Sequence, residues 1–178
     1  MTASDSEAVI RIYQEGMDTG QATFQIQAPV WSDWDQSHLP DLRFVAISNG
    51  QIAGWAALSP VSSRCVYAGV AEVSLYIGSA FHGQKIGFAL MEHLIEASEN
   101  AGFWTLQSGI FPENVASIKL HHKCGFRTIG IREKVGERNG IWRDTVVLER
   151  RSHTVNYNIK KLERCQQTIA PRQQKEKS

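Results

Sequence analysis

The chain has 178 residues, a formal net charge of +1 and a composition that is 42% hydrophobic and 21% charged. These values fit one soluble domain with its own core, and they exclude a chain whose whole surface is adapted to nucleic acid or anionic membranes. No apolar run reaches the roughly 18 residues of a membrane span, and the N-terminus lacks the pattern of a secretory signal. Three cysteines without paired spacing fit a reducing compartment, so a cytoplasmic protein is expected.

Hydrophobic periodicity and turn residues predict, in chain order, a helix, a hairpin, a strand, a helix, a strand, a helix and a second hairpin. The predicted helices span residues 2–17, 84–101 and 114–123, with a short one near 32–38. The predicted strands span residues 43–48, 51–59, 70–77, 105–110, 126–134 and 141–149. This order predicts an α/β (α+β) domain with a central sheet over residues 1–149. Segment 150–178 is polar and carries a charge of +6, so it is expected to be disordered or partly helical.

A glycine-containing turn follows the strand predicted at 70–77 and reads His82-Gly83-Gln84-Lys85-Ile86-Gly87. Glycines at a helix start let backbone amides face outward, and these amides and the helix dipole form a site for phosphate. Lys85 adds a positive charge to that site. The alternative is a plain loop with a glycine-assisted turn. The dinucleotide fingerprint G-x-G-x-x-G is absent.

A second motif covers residues 114–126, NVASIKLHHKCGF. An amphipathic helix capped by Asn114 and ended by Gly125 explains those two residues. It gives no reason for His121, which is therefore a candidate for chemistry.

Residues 70–126 resemble the GNAT acetyltransferases. In that superfamily a Gln/Arg-x-x-Gly-x-Gly/Ala turn binds the CoA pyrophosphate, and the segment N-x-x-[AS]-x-x-[LM]-[YH]-x-x-x-G-F follows later in the chain. Here His82 replaces the usual Gln or Arg, Lys85 replaces the first Gly, and Gly87 is kept. The second segment matches throughout.

Further features resemble the phosphinothricin N-acetyltransferase-like group, which includes enzymes acting on methionine sulfone and methionine sulfoximine. This resemblance covers roughly residues 4–149 and rests on Ala22-Thr23-Phe24, Arg64-x-x-Tyr67, Ala71-Glu72-Val73-Ser74 and Asn139-Gly140-x-Trp142-Arg143-Asp144. It implies a GNAT fold, with a mixed, mostly antiparallel sheet that is splayed at the cofactor site and flanked by helices. The usual first strand has no counterpart, so either the chain starts late or the sheet lacks that edge strand.

The resemblance implies that acetyl-CoA is the co-substrate and that the acetyl group is transferred directly to an amine. The backbone of Leu75, Tyr76 and Ile77 is expected to line the pantetheine arm, because an extended chain can pair with an open strand edge. The other residues expected to contact the cofactor are Gly83, Gln84, Lys85, Ile86, Gly87, Phe88 and Asn114. The six histidines show no ligand spacing with cysteines or acids, so no metal is expected.

Glu72 and His121 are the candidate catalytic residues, because the matching Glu and His form the acid/base pair in the phosphinothricin group. A His suits proton transfer near neutral pH, and a neighbouring Glu can orient it and raise its basicity. His121 could act as the base for the amine or as the acid for the thiolate. The alternatives are an exposed strand carboxylate for Glu72 and a surface side chain for His121.

Phe24, Arg64 and Tyr67 are the candidate substrate-binding residues. Arg64 could hold a substrate carboxylate by a bidentate contact, and Tyr67 could assist it. Core packing for Phe24 and a solvated loop charge for Arg64 are the alternatives. The sequence does not identify the amino acid or analogue that is acetylated.

Two other functions stay open. One is a GNAT fold that senses acyl-CoA without turnover, against which the presence of both Glu72 and His121 argues. The other is an acetyltransferase acting on a protein or peptide amine, although the aromatic segment 22–34 fits a small-molecule pocket better by analogy. A basic tail is usually solvated, so neither nucleic acid nor membrane is an expected partner. The members of the group are commonly homodimers, so a homodimer is expected.

Overall fold

The computed structural model describes residues 1–155 of the chain. The helices are α1 (Ser6–Asp18), α2 (Trp31–Ser37), α3 (Ile86–Asn100) and α4 (Val115–Lys123). The strands are β1 (Arg43–Ser48), β2 (Gln51–Pro60), β3 (Val70–Ile77), β4 (Thr105–Ile110), β5 (Arg127–Arg138) and β6 (Ile141–Arg151). None of the helices in the described part is long and apolar enough to cross a membrane.

The predicted elements are all present, and the differences lie at their ends. The bounds predicted for β3 and β4 are confirmed. α3 begins at Ile86, two residues later than predicted, because Lys85 adopts the left-handed conformation and cannot belong to the helix. β6 runs to Arg151, so the first two residues of the predicted tail are strand. The rest of the prediction for that tail concerns mainly residues 156–178, which lie outside the described residues.

The sheet has six strands in the order β1-β2-β3-β4-β6-β5. All neighbours are antiparallel except β3 and β4, which are parallel. These two strands pair only where residues 70–72 meet residues 105–107, and their remaining residues do not pair with each other. The sheet is therefore mixed, mostly antiparallel and open between the carboxyl ends of β3 and β4, as the resemblance implies.

Two apolar clusters cover the two faces of the sheet. The larger one joins α3 to the face that carries Val73, Leu75 and Ile77. The smaller one joins α1 and α2 to the other face, where Trp55 and Tyr76 lie. Because side chains alternate along a strand, successive residues of β3 face the larger and the smaller cluster in turn.

A β-bulge changes the direction of β5 near its end. The register with β6 shifts between Arg132 and Gly136, and the amide of Lys134 donates to Oδ1 of Asp144 at 2.8 Å. Bulges bend a strand and redirect the side chains that follow. On β5 the residues before the bulge are exposed, whereas Gly136 and Arg138 beyond it are half-buried.

Candidate active site

Glu72 lies at the last position where β3 pairs with β4. It faces Gln107 on β4 and Ser59 on β2. The strands diverge beyond this point, so the exposed Glu72 stands at the vertex of the opening. The alternation of side chains puts it on the face of β3 that carries Tyr76, away from the larger cluster.

His121 lies on α4 and is only 3% exposed. Its Nδ1 atom is 2.8 Å from the carbonyl oxygen of Ser117. A carbonyl oxygen only accepts, so Nδ1 carries the hydrogen, and in the neutral ring Nε2 is the atom that can take up a proton. Nε2 is buried and has no hydrogen-bond partner among residues 1–155. Burial lowers the pKa of His121 below its ordinary value, which keeps the ring neutral near pH 7.

The structure does not join these two candidates directly. Within the described residues no hydrogen bond or ion pair links Glu72 to His121, whose ring contacts Phe126 edge-on at 5.0 Å between centroids. Phe126 belongs to the larger cluster, on the face opposite Glu72. In this structure the carbonyl of Ser117 orients the imidazole, and an orienting role for Glu72 stays a prediction.

The turn between β3 and α3 exposes backbone donors. Gly83 and Lys85 have positive φ values of 76° and 63°, and no side chain caps the N-terminus of α3. Ala89 donates to the carbonyl of Lys85, so the amides of residues 86–88 have no partner within the helix. These amides, at the positive end of a 15-residue helix, can hold a phosphate group.

Two side chains fix this turn to its surroundings. The carboxylate of Glu15, on α1, accepts hydrogen bonds from the amide of Ser79 at 2.9 Å and from its hydroxyl at 3.1 Å. Nε2 of His82 donates to the carbonyl of Ile77 at 3.0 Å. His82, which replaces a usual Gln or Arg, thus ties the turn to the end of β3.

The loop over residues 19–25 connects α1 with the open end of the sheet. Asn114 caps α4 by accepting from the amide of Ser117 at 3.2 Å, and its side-chain nitrogen donates to the carbonyl of Gln21 at 3.3 Å. Tyr13 donates to the side chain of Gln25 at 2.8 Å. Both ends of the loop are therefore held, one by α4 and the other by α1.

The candidate substrate residues lie in two separate places. The ring of Phe24 contacts Phe111, directly after β4, edge-on at 4.8 Å between centroids, and it also packs against Gly136. Arg64 and Tyr67 lie in the loop between β2 and β3, where the guanidinium is 5.5 Å from the centre of the tyrosine ring. Both of these loop side chains are exposed. None of the described contacts joins Arg64 to Phe24.

Comparison with known proteins agrees with this geometry. The family model described as the acetyltransferase (GNAT) family matches residues 7–126. The chain belongs to the GNAT acetyltransferase family. A phosphinothricin N-acetyltransferase of Alcaligenes faecalis is 31% identical over 154 residues, which covers 82% of this chain and 77% of the relative. An L-methionine sulfoximine/L-methionine sulfone acetyltransferase of Salmonella typhimurium is 30% identical over 105 residues, covering 59% of this chain and 61% of that protein.

A solved structure shares the fold of this GNAT enzyme. The crystal structure of a GNAT superfamily phosphinothricin acetyltransferase from Sinorhizobium meliloti in complex with AcCoA aligns with a TM-score of 0.77. It is 26% identical and covers 85% of each chain. The protein is therefore an enzyme of the acetyltransferase class with a GNAT sheet.

Sequence reasoning did not find three residues that shape the site of this GNAT acetyltransferase. Ser117 orients His121 through its carbonyl oxygen, four residues earlier on the helix. This spacing places both residues on one face of the predicted helix, so the sequence could have indicated the contact. Glu15 holds the turn before α3 and Arg138 holds the end of α1, each through a contact between distant segments. No local pattern in the sequence marks such contacts.

Proposed function

We propose that this enzyme transfers the acetyl group of acetyl-CoA to the amino group of a small amino acid or analogue. The single observation that carries the proposal is the buried Nε2 of His121, on the helix that follows β4, which has no hydrogen-bond partner in the described part of the chain. A buried hydrogen-bond acceptor without a partner destabilises the folded protein. Such an atom is therefore expected to have a function.

Acetyl-CoA fits the residues between β3 and α3. The free amides of residues 86–88 suit the pyrophosphate, with Gly83, Gln84 and Lys85 forming the turn beside it. The unpaired edge of Leu75, Tyr76 and Ile77 suits the amide groups of the pantetheine arm. The proposed cofactor contacts of Phe88 and Asn114 rest on the sequence resemblance, since Asn114 makes two internal hydrogen bonds here.

The proposed reaction moves two protons from the substrate ammonium group. Glu72 attracts this cation, and the first proton passes through water to solvent. The amine nitrogen then attacks the thioester carbonyl, and His121 accepts the second proton at Nε2. As the carbon–sulfur bond breaks, the imidazolium returns this proton to the CoA thiolate. Direct transfer needs no enzyme nucleophile, and burial raises the pKa of the Cys124 thiol, which keeps that thiol protonated.

The acceptor class rests on the two named relatives and on the aromatic contact of Phe24. Phosphinothricin, methionine sulfoximine and methionine sulfone all present a carboxylate beside the amine. The sequence motif makes Arg64 and Tyr67 candidates for binding this carboxylate. Neither side chain is buried. An ion pair with the carboxylate there would therefore contribute less binding free energy than one in a pocket from which water is excluded.

The cytoplasm is proposed as the location of the enzyme, because its three cysteines show no paired spacing.

The assembled enzyme is proposed to be a homodimer. Five large apolar side chains are exposed on the hairpin of β5 and β6: Ile129, Ile131, Val135, Ile141 and Trp142. Such a concentration on an edge hairpin is typical of a contact surface. Light scattering measures the molecular mass of the wild type and of Ile131→Glu. We expect a dimeric wild type that Ile131→Glu weakens, and a monomeric wild type would contradict the proposed dimer.

The proposed function is tested by thiol release from acetyl-CoA with a panel of amino acids, methionine sulfone, methionine sulfoximine and phosphinothricin. Wild type, Glu72→Gln and His121→Ala are compared, with the exposed Glu96→Gln on α3 as a matched control for charge. We expect turnover on the panel and a fall in kcat of about 10²-fold or more in the two site variants.

Two results would contradict parts of this proposal. If both variants keep full turnover, Glu72 and His121 have no role in the mechanism, although the acetyltransferase activity itself is established. Binding of acetyl-CoA without turnover of any small amine would favour the sensor, or a peptide acceptor if a peptide N-terminus is acetylated instead.

A further inference from the structure

Arg138 lies at the end of β5, beyond the bulge, and turns toward the loop over residues 19–25. Its Nη2 atom donates to the carbonyl of Met17, in the last turn of α1, at 2.8 Å. Its Nη1 atom would be 3.3 Å from a β carbon added at Gly20, so the guanidinium lies against the start of the loop. Arg138 thus lies against Gly20, one residue before the Gln21 carbonyl that accepts from Asn114.

Among residues 1–155, no acidic side chain forms an ion pair with Arg138. Ion pairs within residues 1–155 involve Arg11, Arg43, Arg127, Arg143 and Arg150, and Arg138 is not among them. Its Nε atom is buried and has no hydrogen-bond partner in the described part of the chain. A guanidinium stays charged at every working pH, so a half-buried one without a carboxylate is costly. An anionic ligand would remove this cost.

The strand and the loop around Arg138 include Phe24, one of the candidate substrate-binding residues. Gly136, two residues earlier on the same strand, contacts Phe24, which packs on Phe111 just after β4. Gly16, beside Met17 on α1, packs against the ring of Tyr76 on the open strand β3. The segments that hold the guanidinium, the end of α1 and the loop after it, thus also contact Tyr76 on β3 and Phe111 just after β4.

We propose that Arg138 binds the α-carboxylate of the acceptor amino acid, using Nε and a terminal nitrogen in a bidentate contact. This inference rests on the proposed function and assigns the carboxylate to Arg138 in place of Arg64. Arg64 is exposed and stacks on Tyr67, whereas Arg138 has a buried donor that lacks an acceptor. Bidentate contacts to carboxylates are the strong form of charge-assisted hydrogen bond.

The test compares two acceptors on each variant: the amino acid of the panel with the highest kcat/KM, and its α-carboxamide, which keeps the amine and loses the charge. The variants are Arg138→Met, Arg138→Lys and Arg64→Met. Arg132→Met is the matched control, because Arg132 is exposed on the same strand. The KM for acetyl-CoA and the unfolding temperature report separately on the cofactor site and on the fold.

We expect Arg138→Met to raise the KM for the amino acid by roughly ten- to a hundredfold, while the KM for the carboxamide changes less than about twofold. Arg138→Lys should give an intermediate rise, since it keeps the charge and loses Nε. An equal rise for both acceptors, or loss of discrimination in Arg64→Met alone, would overturn the assignment. If the wild type acetylates no amino acid, the proposed function fails in the wild type itself and the inference fails with it.

Discussion

Nδ1 of His121 donates a 2.8 Å hydrogen bond to the carbonyl oxygen of Ser117, one helical turn earlier on α4. This contact fixes which ring nitrogen holds the hydrogen, and Nε2 is left as a buried acceptor. The same burial that hides Nε2 lowers the pKa of the ring. His121 is thus held in the protonation state that a base requires at neutral pH.

The rate should depend on pH through His121. The base works only when it is neutral, so the contribution of His121 to kcat should be constant above the His121 pKa and should be lost as the pH drops through it. Because burial lowers that pKa, the fall is expected below pH 6.5, the ordinary value for His. A profile of kcat from pH 5 to 8 measures this. A midpoint above 6.5 would show that another group controls the rate.

Lys85 should carry a conformational cost that glycine relieves. Its φ of 63° is in the left-handed region, where a side chain costs about 1 kcal/mol. We expect Lys85→Gly to raise the free energy of unfolding by roughly 0.5–1 kcal/mol, and Lys85→Val to lower it, since β-branched residues tolerate this region poorly. Denaturant unfolding measures both. Equal stability of the two variants would contradict the assigned conformation.

Glu15 should position the cofactor turn from a distance. Its hydrogen bond from the backbone of Ser79 lowers the pKa of the carboxyl, which therefore stays charged at neutral pH. Glu15→Ala should raise the KM for acetyl-CoA several-fold and leave kcat nearly unchanged, and Glu15→Gln should recover part of the loss because its amide oxygen still accepts. Initial rates at varied acetyl-CoA separate the two constants. The exposed Glu96→Ala serves as control, and an unchanged KM in Glu15→Ala would exclude the positioning role.

Gly136 should be required for the placement of Phe24. A β carbon at this position would lie 2.7 Å from Cε1 of Phe24, whereas one at Gly130 on the same strand meets nothing within 4 Å. We expect Gly136→Ala to displace the ring, to lower the free energy of unfolding by about 1–3 kcal/mol, and to raise the KM for the acceptor. Gly130→Ala should change the acceptor KM little. Similar acceptor constants for both variants would remove Phe24 from the acceptor site.

Most of the fold follows from local patterns in the sequence. The strand Val70–Ile77 is bounded by Gly69 and Gly78, which mark both of its ends. The start of α3 was harder to place, because Lys85 gives no sign of a left-handed conformation that glycine usually supplies. The last residues of β5 were also missed, since its pairing with β6 resumes only after a bulge stabilised by Asp144.

The site depends more on contacts between distant segments. Glu72 and His121 are candidates because of their motifs, but their relative placement depends on where β4 diverges from β3 and on how α4 packs. The contact of Arg138 with Met17 spans 121 positions and requires both the bulge and the end of α1. Short-range periodicity does not encode such a contact.

The most direct measurement is mass spectrometry of the product formed by the wild-type enzyme from acetyl-CoA and methionine sulfone, methionine sulfoximine, phosphinothricin or a common amino acid. We expect an N-acetyl amino acid, formed in equal amount with free CoA and formed at least about a hundredfold more slowly by His121→Ala. Acetylation of a peptide N-terminus with no acetylated amino acid in the panel would contradict the small-molecule acceptor.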